Sequence, residues 1–202
     1  MLSLDQGTNL VKLARKTVLK YFEKRKFTLE KVDDKVLNER RGVFVTIENY
    51  PDNSLRGCIG FPFGEKRLYE AVQKAAYSSA FEDKRFFPLK KEELNKVIFE
   101  VSVLTGPELI YVKDPKEYLE KIEIGRDGLI ISNGLFSGLL LPQVALRFNW
   151  DVKEFLDNLC FKAGLTPDRI YDKNTNLWKF QTQVFSEERP NGNVMDLTEH
   201  SR

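Results

Sequence analysis

Gly128-Leu129-Ile130-Ile131-Ser132-Asn133-Gly134-Leu135 decides the fold class of this chain. Asn-Gly between two apolar runs, 128–131 before it and 135–141 after it, is the strongest short hairpin signal a sequence offers, because a two-residue turn needs residues that tolerate positive φ. The spacing predicts antiparallel strands meeting at Ser132-Asn133-Gly134. Upstream, Gly42-Val43-Phe44-Val45-Thr46-Ile47 reads as a strand rich in β-branched and aromatic residues. Tyr50-Pro51-Asp52-Asn53-Ser54 reads as a turn, and residues 55–61 as the next strand. Residues 97–104 alternate at period two in their second half, which predicts a half-buried strand, and 177–185 predicts a late one.

Helical spacing separates these strands. Leu10, Val11, Ala14, Val18, Tyr21 and Phe22 predict a helix from about 3–5 to about 24. Leu68, Ala71, Val72, Ala75, Ala76 and Ala80 predict a second, with small residues that permit close packing on a sheet. A third is expected over 151–163, stopped by Gly164, and a short one near 115–121. Residues 25–41 read as a connection holding one short turn of helix. Hairpins require antiparallel neighbours, so the class is α+β and not a doubly wound parallel sheet. No repeat, low-complexity tract or Pro/Gly/Ser linker divides the chain. A single domain over 1–202 is expected, with at most two lobes sharing one core and a loose tail from 187.

Composition excludes several function classes. Thirty-two basic and thirty acidic residues leave a net charge of +2 over 202 residues, without the concentrated basic excess of a dedicated nucleic-acid binder. Arg15, Lys16, Lys20, Lys24, Arg25, Lys26 and Lys31 do cluster, interrupted by Glu23 and Glu30; this reads as a solvated helix face, with an RNA or partner surface as the other option. No run approaches the ~20 apolar residues of a membrane span. The first residues lack the basic flank and apolar run of a signal peptide. Cys58 and Cys160 cannot build a disulfide framework, so free thiols in a reducing cytoplasm are expected.

The only histidine is His200, in the tail. Ser-His-Asp and Cys-His systems need a fixed imidazole, and structural zinc needs clustered Cys and His, so neither is expected. No Walker loop and no Gly-x-Gly-x-x-Gly turn is present; no cofactor is assigned. Against that background Leu55-Arg56-Gly57-Cys58-Ile59-Gly60 stands out. On a strand, period two places Arg56, Cys58 and Gly60 on one face, with Arg56 and Cys58 about 7 Å apart at Cα. A guanidinium near the sulfur favours the reactive thiolate. Gly57 and Gly60 carry no side chain, so another backbone or a ligand can approach. The plainer reading is a buried structural cysteine beside glycines that mark a bulge.

Leu55-Arg56-Gly57-Cys58-Ile59-Gly60 also matches the hallmark of the AMMECR family, named for the human chromosomal region linked to Alport syndrome, intellectual disability, midface hypoplasia and elliptocytosis. Further matches follow in the family's order. They include Gly42-Val43-Phe44-Val45-Thr46, Asp83-Lys84-Arg85-Phe86 with Pro88, Glu100-Val101-Ser102-Val103-Leu104, Gly125-Arg126-Asp127-Gly128-Leu129, Ser137-Gly138-Leu139-Leu140-Leu141-Pro142-Gln143-Val144 and Lys162-Ala163-Gly164-Leu165. Together they span roughly residues 5–187. The chain resembles a stand-alone archaeal-type member. The resemblance implies two lobes with antiparallel sheets flanked by helices and a cleft between the lobes near the hallmark. It also implies the company of a Memo-type protein and a radical S-adenosylmethionine protein, but no particular reaction.

Polar residues within the matched segments are further candidates. Thr46 and Glu100 lie in strand runs, where an outward-facing position is the plain alternative. Arg85 can bind an anion or pair with Asp83. Gln143 follows Pro142 and either contacts a ligand or caps a strand. Arg126-Asp127-Gly128 reads as a turn, and Trp150 and Trp178 as core or rim aromatics. Two functions stay open. In one, Cys58 is a nucleophile or covalent carrier activated by Arg56, with Glu100 or a water as base. In the other, Arg56 and Arg85 help a non-catalytic surface bind a small anionic ligand, a modified nucleotide or RNA, or a partner protein.

Overall fold

Ser3 starts the first helix because its hydroxyl accepts from the Gln6 N–H while the Gln6 side chain reaches back to the Ser3 N–H, a reciprocal cap. The computed structural model describes residues 1–198; His200 lies outside them. In chain order the first elements are α1 (Leu4–Lys24), β1 (Val43–Asn49), β2 (Leu55–Phe61), α2 (Leu68–Phe81) and β3 (Val97–Leu104). There follow β4 (Glu108–Leu109), α3 (Tyr118–Lys121), β5 (Gly128–Asn133), β6 (Phe136–Leu140), α4 (Pro142–Phe148), α5 (Val152–Lys162) and β7 (Thr175–Phe180). The chain ends with β8 (Thr182–Glu187) and β9 (Val194–Asp196). The mixture of helices with antiparallel strands is the expected α+β class. Among the described residues no helix is long and apolar enough to cross a membrane.

Contacts divide the chain into two compact units, one of residues 1–104 with 183–198 and one of residues 105–182. The first holds a five-stranded sheet in the order β2-β1-β3-β8-β9, with β1 antiparallel to both β2 and β3. Val43, Val45 and Ile47 face Val103, Val101 and Phe99 across β1 and β3. Period two puts them all on one side, where they pack with Leu10, Val11 and Ala14 of α1 and Ala71, Val72, Ala75 and Ala76 of α2. The other side of the same strands carries Thr46, Glu100 and Ser102. The alanines let α2 lie almost on the sheet: a Cβ on Gly57 would stand 2.2 Å from the Ser79 carbonyl oxygen.

Arg15 departs from the solvated basic face expected of it. It is 5% exposed and bonds Glu187 through Nε at 2.6 Å and Nη2 at 2.5 Å, with further bonds to the Leu94 and Val97 carbonyls. Glu187 also accepts the Phe99 N–H at 3.0 Å. One buried ion pair, with its remaining polar groups satisfied, thus ties α1 to β3 and β8.

The second unit holds the sheet β4-β7-β5-β6. Its β5–β6 hairpin turns at Gly134, with φ +60°. Asp151 caps α5 and Gly164, φ +76°, follows it, as the sequence predicts. Leu129, Ile131, Phe155, Leu159 and Leu177 belong to a second apolar cluster within this unit. Each unit thus carries an apolar cluster of its own. The late strand predicted over 177–185 is in fact two strands in two sheets. Gln181 breaks it by spending its N–H on Thr105 Oγ1 and its carbonyl on the Thr105 N–H. The tail expected to be loose returns to the first sheet, where Ser186 pairs with Met195. Pro142 begins a helix, α4, where a capped strand end was one expectation for Gln143.

Candidate functional site

Register brings three side chains of the first unit into one line. Thr46 stands opposite Cys58 on β2 and opposite Glu100 on β3. Residues opposite each other in an antiparallel ladder share a face, so Cys58, Thr46 and Glu100 form a row across three strands, on the side away from the helices. Thr46 is 8% exposed, while Cys58 and Glu100 are half-buried. Thr46 Oγ1 lies 3.5 Å from Cys58 Sγ and donates to it. Ser102, two residues beyond Glu100 on the same face, donates to Glu100 Oε1 at 3.4 Å.

The electrostatics of this row are those of a proton-holding surface. Burial pushes the Glu100 carboxyl up, the Glu48 charge pushes it further against the opposing Ser102 bond, and its pKa reaches about 7. Burial also raises the Cys58 thiol; the Thr46 hydroxyl and the Arg85 charge oppose that rise, and the Glu100 and Asp83 charges add to it. At neutral pH the resting sulfur is a thiol.

The expected activation of Cys58 by Arg56 is not what the structure contains. Gly57 pairs with Ile47, but Leu55 and not Arg56 pairs with Glu48, so the register shifts at Arg56 and strict alternation fails there. The Arg56 guanidinium is held by Glu93, Nε–Oε1 2.8 Å and Nη2–Oε2 3.2 Å, with its side chain 13% exposed. Despite burial, which acts in the opposite sense, Arg56 and the Lys90 N–H hold Glu93 below the usual carboxylate range.

Arg85 is the guanidinium whose field reaches the thiol. β2 is the sheet's edge strand, and an open edge leaves backbone groups unpaired. Asp83 Oδ2 accepts the Cys58 N–H at 2.9 Å, and Arg85 Nη2 donates to the Cys58 carbonyl at 3.1 Å. Asp83 and Arg85 also bond each other at 2.7 and 3.0 Å. Together they clamp both polar groups of the Cys58 peptide. The Arg85 bond, assisted by the Cys58 and Arg85 N–H groups and opposed by burial, pulls Asp83 down to about 2. Ser79 supplies a second anchor: its Oγ accepts the Ile59 N–H at 2.8 Å and donates to the Val45 carbonyl at 2.7 Å, joining α2 to β2 and β1.

The two glycines are filled by the protein itself. Gly57 admits the Ser79 carbonyl, and the Phe44 ring occupies the space where a Gly60 Cβ would stand, 2.3 Å from its nearest atom. Of the open choices for these positions, close approach by protein is the one found. Gln143 lies in the second unit, in the first turn of α4, with its Oε1 buried and unpaired. Cys58, Thr46, Glu100 and Arg85 are therefore brought together, and Arg56 is turned away to Glu93. Sequence reasoning missed Ser79, Glu93, Glu48 and Ser102. Only Ser102 carried a signal, its i+2 spacing from Glu100. No group of three or more His, Cys, Asp or Glu side chains suited to a metal ion occurs among the described residues.

Comparison with known proteins is consistent over nearly all of the chain. The AMMECR1 family model matches residues 11–185. Protein MJ0810 of Methanocaldococcus jannaschii is 48% identical over 196 residues, covering 97% of each chain. Protein MK0488 of Methanopyrus kandleri is 50% identical over 196 residues, covering 96% of this chain and 95% of its own. The crystal structure of uncharacterized protein PH0010 from Pyrococcus horikoshii superposes with a TM-score of 0.88 at 47% identity, covering 94% of this chain and 95% of that one.

Proposed function

The chain belongs to the AMMECR1 family, and from that premise we propose that it is an enzyme whose reaction runs over the Cys58–Thr46–Glu100 row. The observation that carries this reading is the pairing of a half-buried thiol with a carboxyl whose pKa of about 7 suits it to give or take a proton near neutrality. In the proposed reaction a neutral electrophile lies across the three strands, hydrogen-bonded in the middle by Thr46. Cys58 Sγ forms a bond to its electrophilic carbon as the thiol proton leaves to water. Glu100 in its acid form protonates the departing group, then as a carboxylate draws a proton from the water that hydrolyses the adduct. The sulfur, released as thiolate, takes back from solvent the proton it gave up. Cys58 and Glu100 are two strand spacings apart, roughly 10 Å, so the substrate spans them and no direct proton transfer is needed.

Recognition of an anion by Arg56 and Arg85 is the weaker reading, because each guanidinium already holds a carboxylate. The Memo-type and radical S-adenosylmethionine proteins suggested by the family resemblance fit as suppliers or consumers of the substrate. Intact-mass analysis after incubation with a small-molecule extract of archaeal cells tests the proposal. An adduct mapping to Cys58 should form on wild type and clear with time, should clear at least about tenfold more slowly from Glu100→Gln, and should be absent from Cys58→Ser. No adduct at any time in either Cys58-containing protein, or equal clearance in both, refutes it.

A further inference from the structure

A hollow of about 350 Å³ opens on the other, helix-covered side of the first unit, between α1 and residues 25–41. We propose that it binds a small aliphatic zwitterion, an α-amino acid with an apolar side chain. The size is near the lower end of the ~300–1,000 Å³ typical of small-molecule sites, which favours a ligand of a few carbons over a nucleotide. Leu13, Val32 and Leu37 give it an apolar floor.

The charges at its rim are what select a zwitterion. Lys16, in the lining, is already bonded to Glu30 at 2.7 Å, and Lys20 holds the other Glu30 oxygen. Those two lysines keep Glu30 below its ordinary pKa. Asp34 spends Oδ1 on the Val36 and Leu37 N–H groups. The side chains of Lys12 and Asp33, also in the lining, have no hydrogen-bond or ion-pair partner among the described residues. One unpaired cationic and one unpaired anionic side chain thus border a single hollow with an apolar floor, a pattern that matches a carboxylate and an ammonium carried on one short molecule.

The wall is built in advance. Residues 25–41 contain no helix or strand, yet they are pinned from within. Gln73 of α2, 1% exposed, accepts the Glu30 N–H at 2.7 Å and donates to the Glu30 carbonyl at 2.9 Å. Asn38 donates to the Val32 and Asp34 carbonyls at 2.9 and 2.7 Å. A hollow fixed without its ligand needs little ordering on binding.

Amide NMR titration of the full chain with L-leucine tests this, with isocaproate and isoamylamine as probes carrying one charge each. L-leucine should shift Asn9, Leu13, Asp33 and Leu37 saturably, and each single-charge probe should bind at least about tenfold more weakly. Lys12→Met should weaken L-leucine about tenfold while leaving isoamylamine unchanged, and Asp33→Asn should weaken L-leucine about tenfold while leaving isocaproate unchanged. Both side chains are exposed, so the variants keep the fold, which their remaining spectrum verifies. Absence of saturable shifts with L-leucine, equal binding of all three probes, or indifference to both substitutions overturns the proposal.

Discussion

Thr46 donates its hydroxyl to Cys58 Sγ across 3.5 Å while standing opposite Glu100 on its other side. That hydroxyl is the centre of a row in which the proton-carrying groups lie at the two ends. The relationship follows from the register of β1 with its two neighbours, so anything that holds the register holds the row.

Glu100 should make stability fall with rising pH. Its folded pKa of about 7 lies above the ordinary carboxyl value of 4.5, so its protonated form favours folding. That contribution is complete below pH 4.5 and is lost as pH rises through 7. At ~1.4 kcal/mol per pKa unit, the shift corresponds to roughly 3 kcal/mol. Glu100→Gln should therefore be more stable than wild type at pH 8 by up to that amount, with the advantage gone near pH 4. Urea melts at both values check it.

Asp83 should act in the opposite sense. Its pKa of about 2 is depressed from 3.8, so its contribution is present above 3.8 and is lost as pH falls through 2. Arg85 is 56% exposed, and solvent screening reduces the effect of the pair to about 1–2 kcal/mol. Asp83→Asn should lose that much at pH 7, and its melts should converge with wild type toward pH 2.

Gly57 and Ser79 should be intolerant of small changes. A methyl at Gly57 meets the Ser79 carbonyl at 2.2 Å, so Gly57→Ala must lift α2 from the sheet and should cost about 3 kcal/mol or more. Ser79→Ala removes the link between the Ile59 N–H and the Val45 carbonyl and should cost about 1–3 kcal/mol. Thermal denaturation of each variant gives the answer.

Arg56 and Arg85 should exchange the roles that sequence spacing suggests for them. Arg56→Ala should destabilise by about 1–2 kcal/mol through its lost pair with Glu93 and leave Cys58 alkylation at pH 8 unchanged. Arg85→Ala should slow that alkylation a few-fold, because the Arg85 charge opposes the rise in the thiol pKa. Cys160, fully buried and pushed up to about 11, should stay unlabelled in the folded protein. Peptide mapping of iodoacetamide-treated samples separates the two thiols.

Local signals were legible in the sequence where one residue type forces one geometry. Asn133-Gly134 announced the hairpin, the spacing of Leu10 to Phe22 announced α1, and Gly164 announced the end of α5. Cys58, Thr46 and Glu100 were each visible as polar positions in strand runs, but their alignment needed a register that one chain does not state. Arg56 misled because a register shift breaks period two at that residue, and nothing local marks Glu93 as its partner. Gln181 looked like the interior of a strand; only its bonds to Thr105 show that the strand ends there. Arg15 looked like a surface cation because its buried partner, Glu187, lies 172 residues away.

The pH dependence of Cys58 alkylation in wild type and Glu100→Gln addresses the row most directly. Ionised Glu100 raises the thiol's pKa, so the wild-type rate should climb with pH, bend near pH 7 as the carboxyl loses its proton, and climb again. Glu100→Gln should rise with one slope and run above wild type beyond pH 7. Superimposable profiles would mean that the carboxyl and the sulfur do not sense each other, contradicting a shared site.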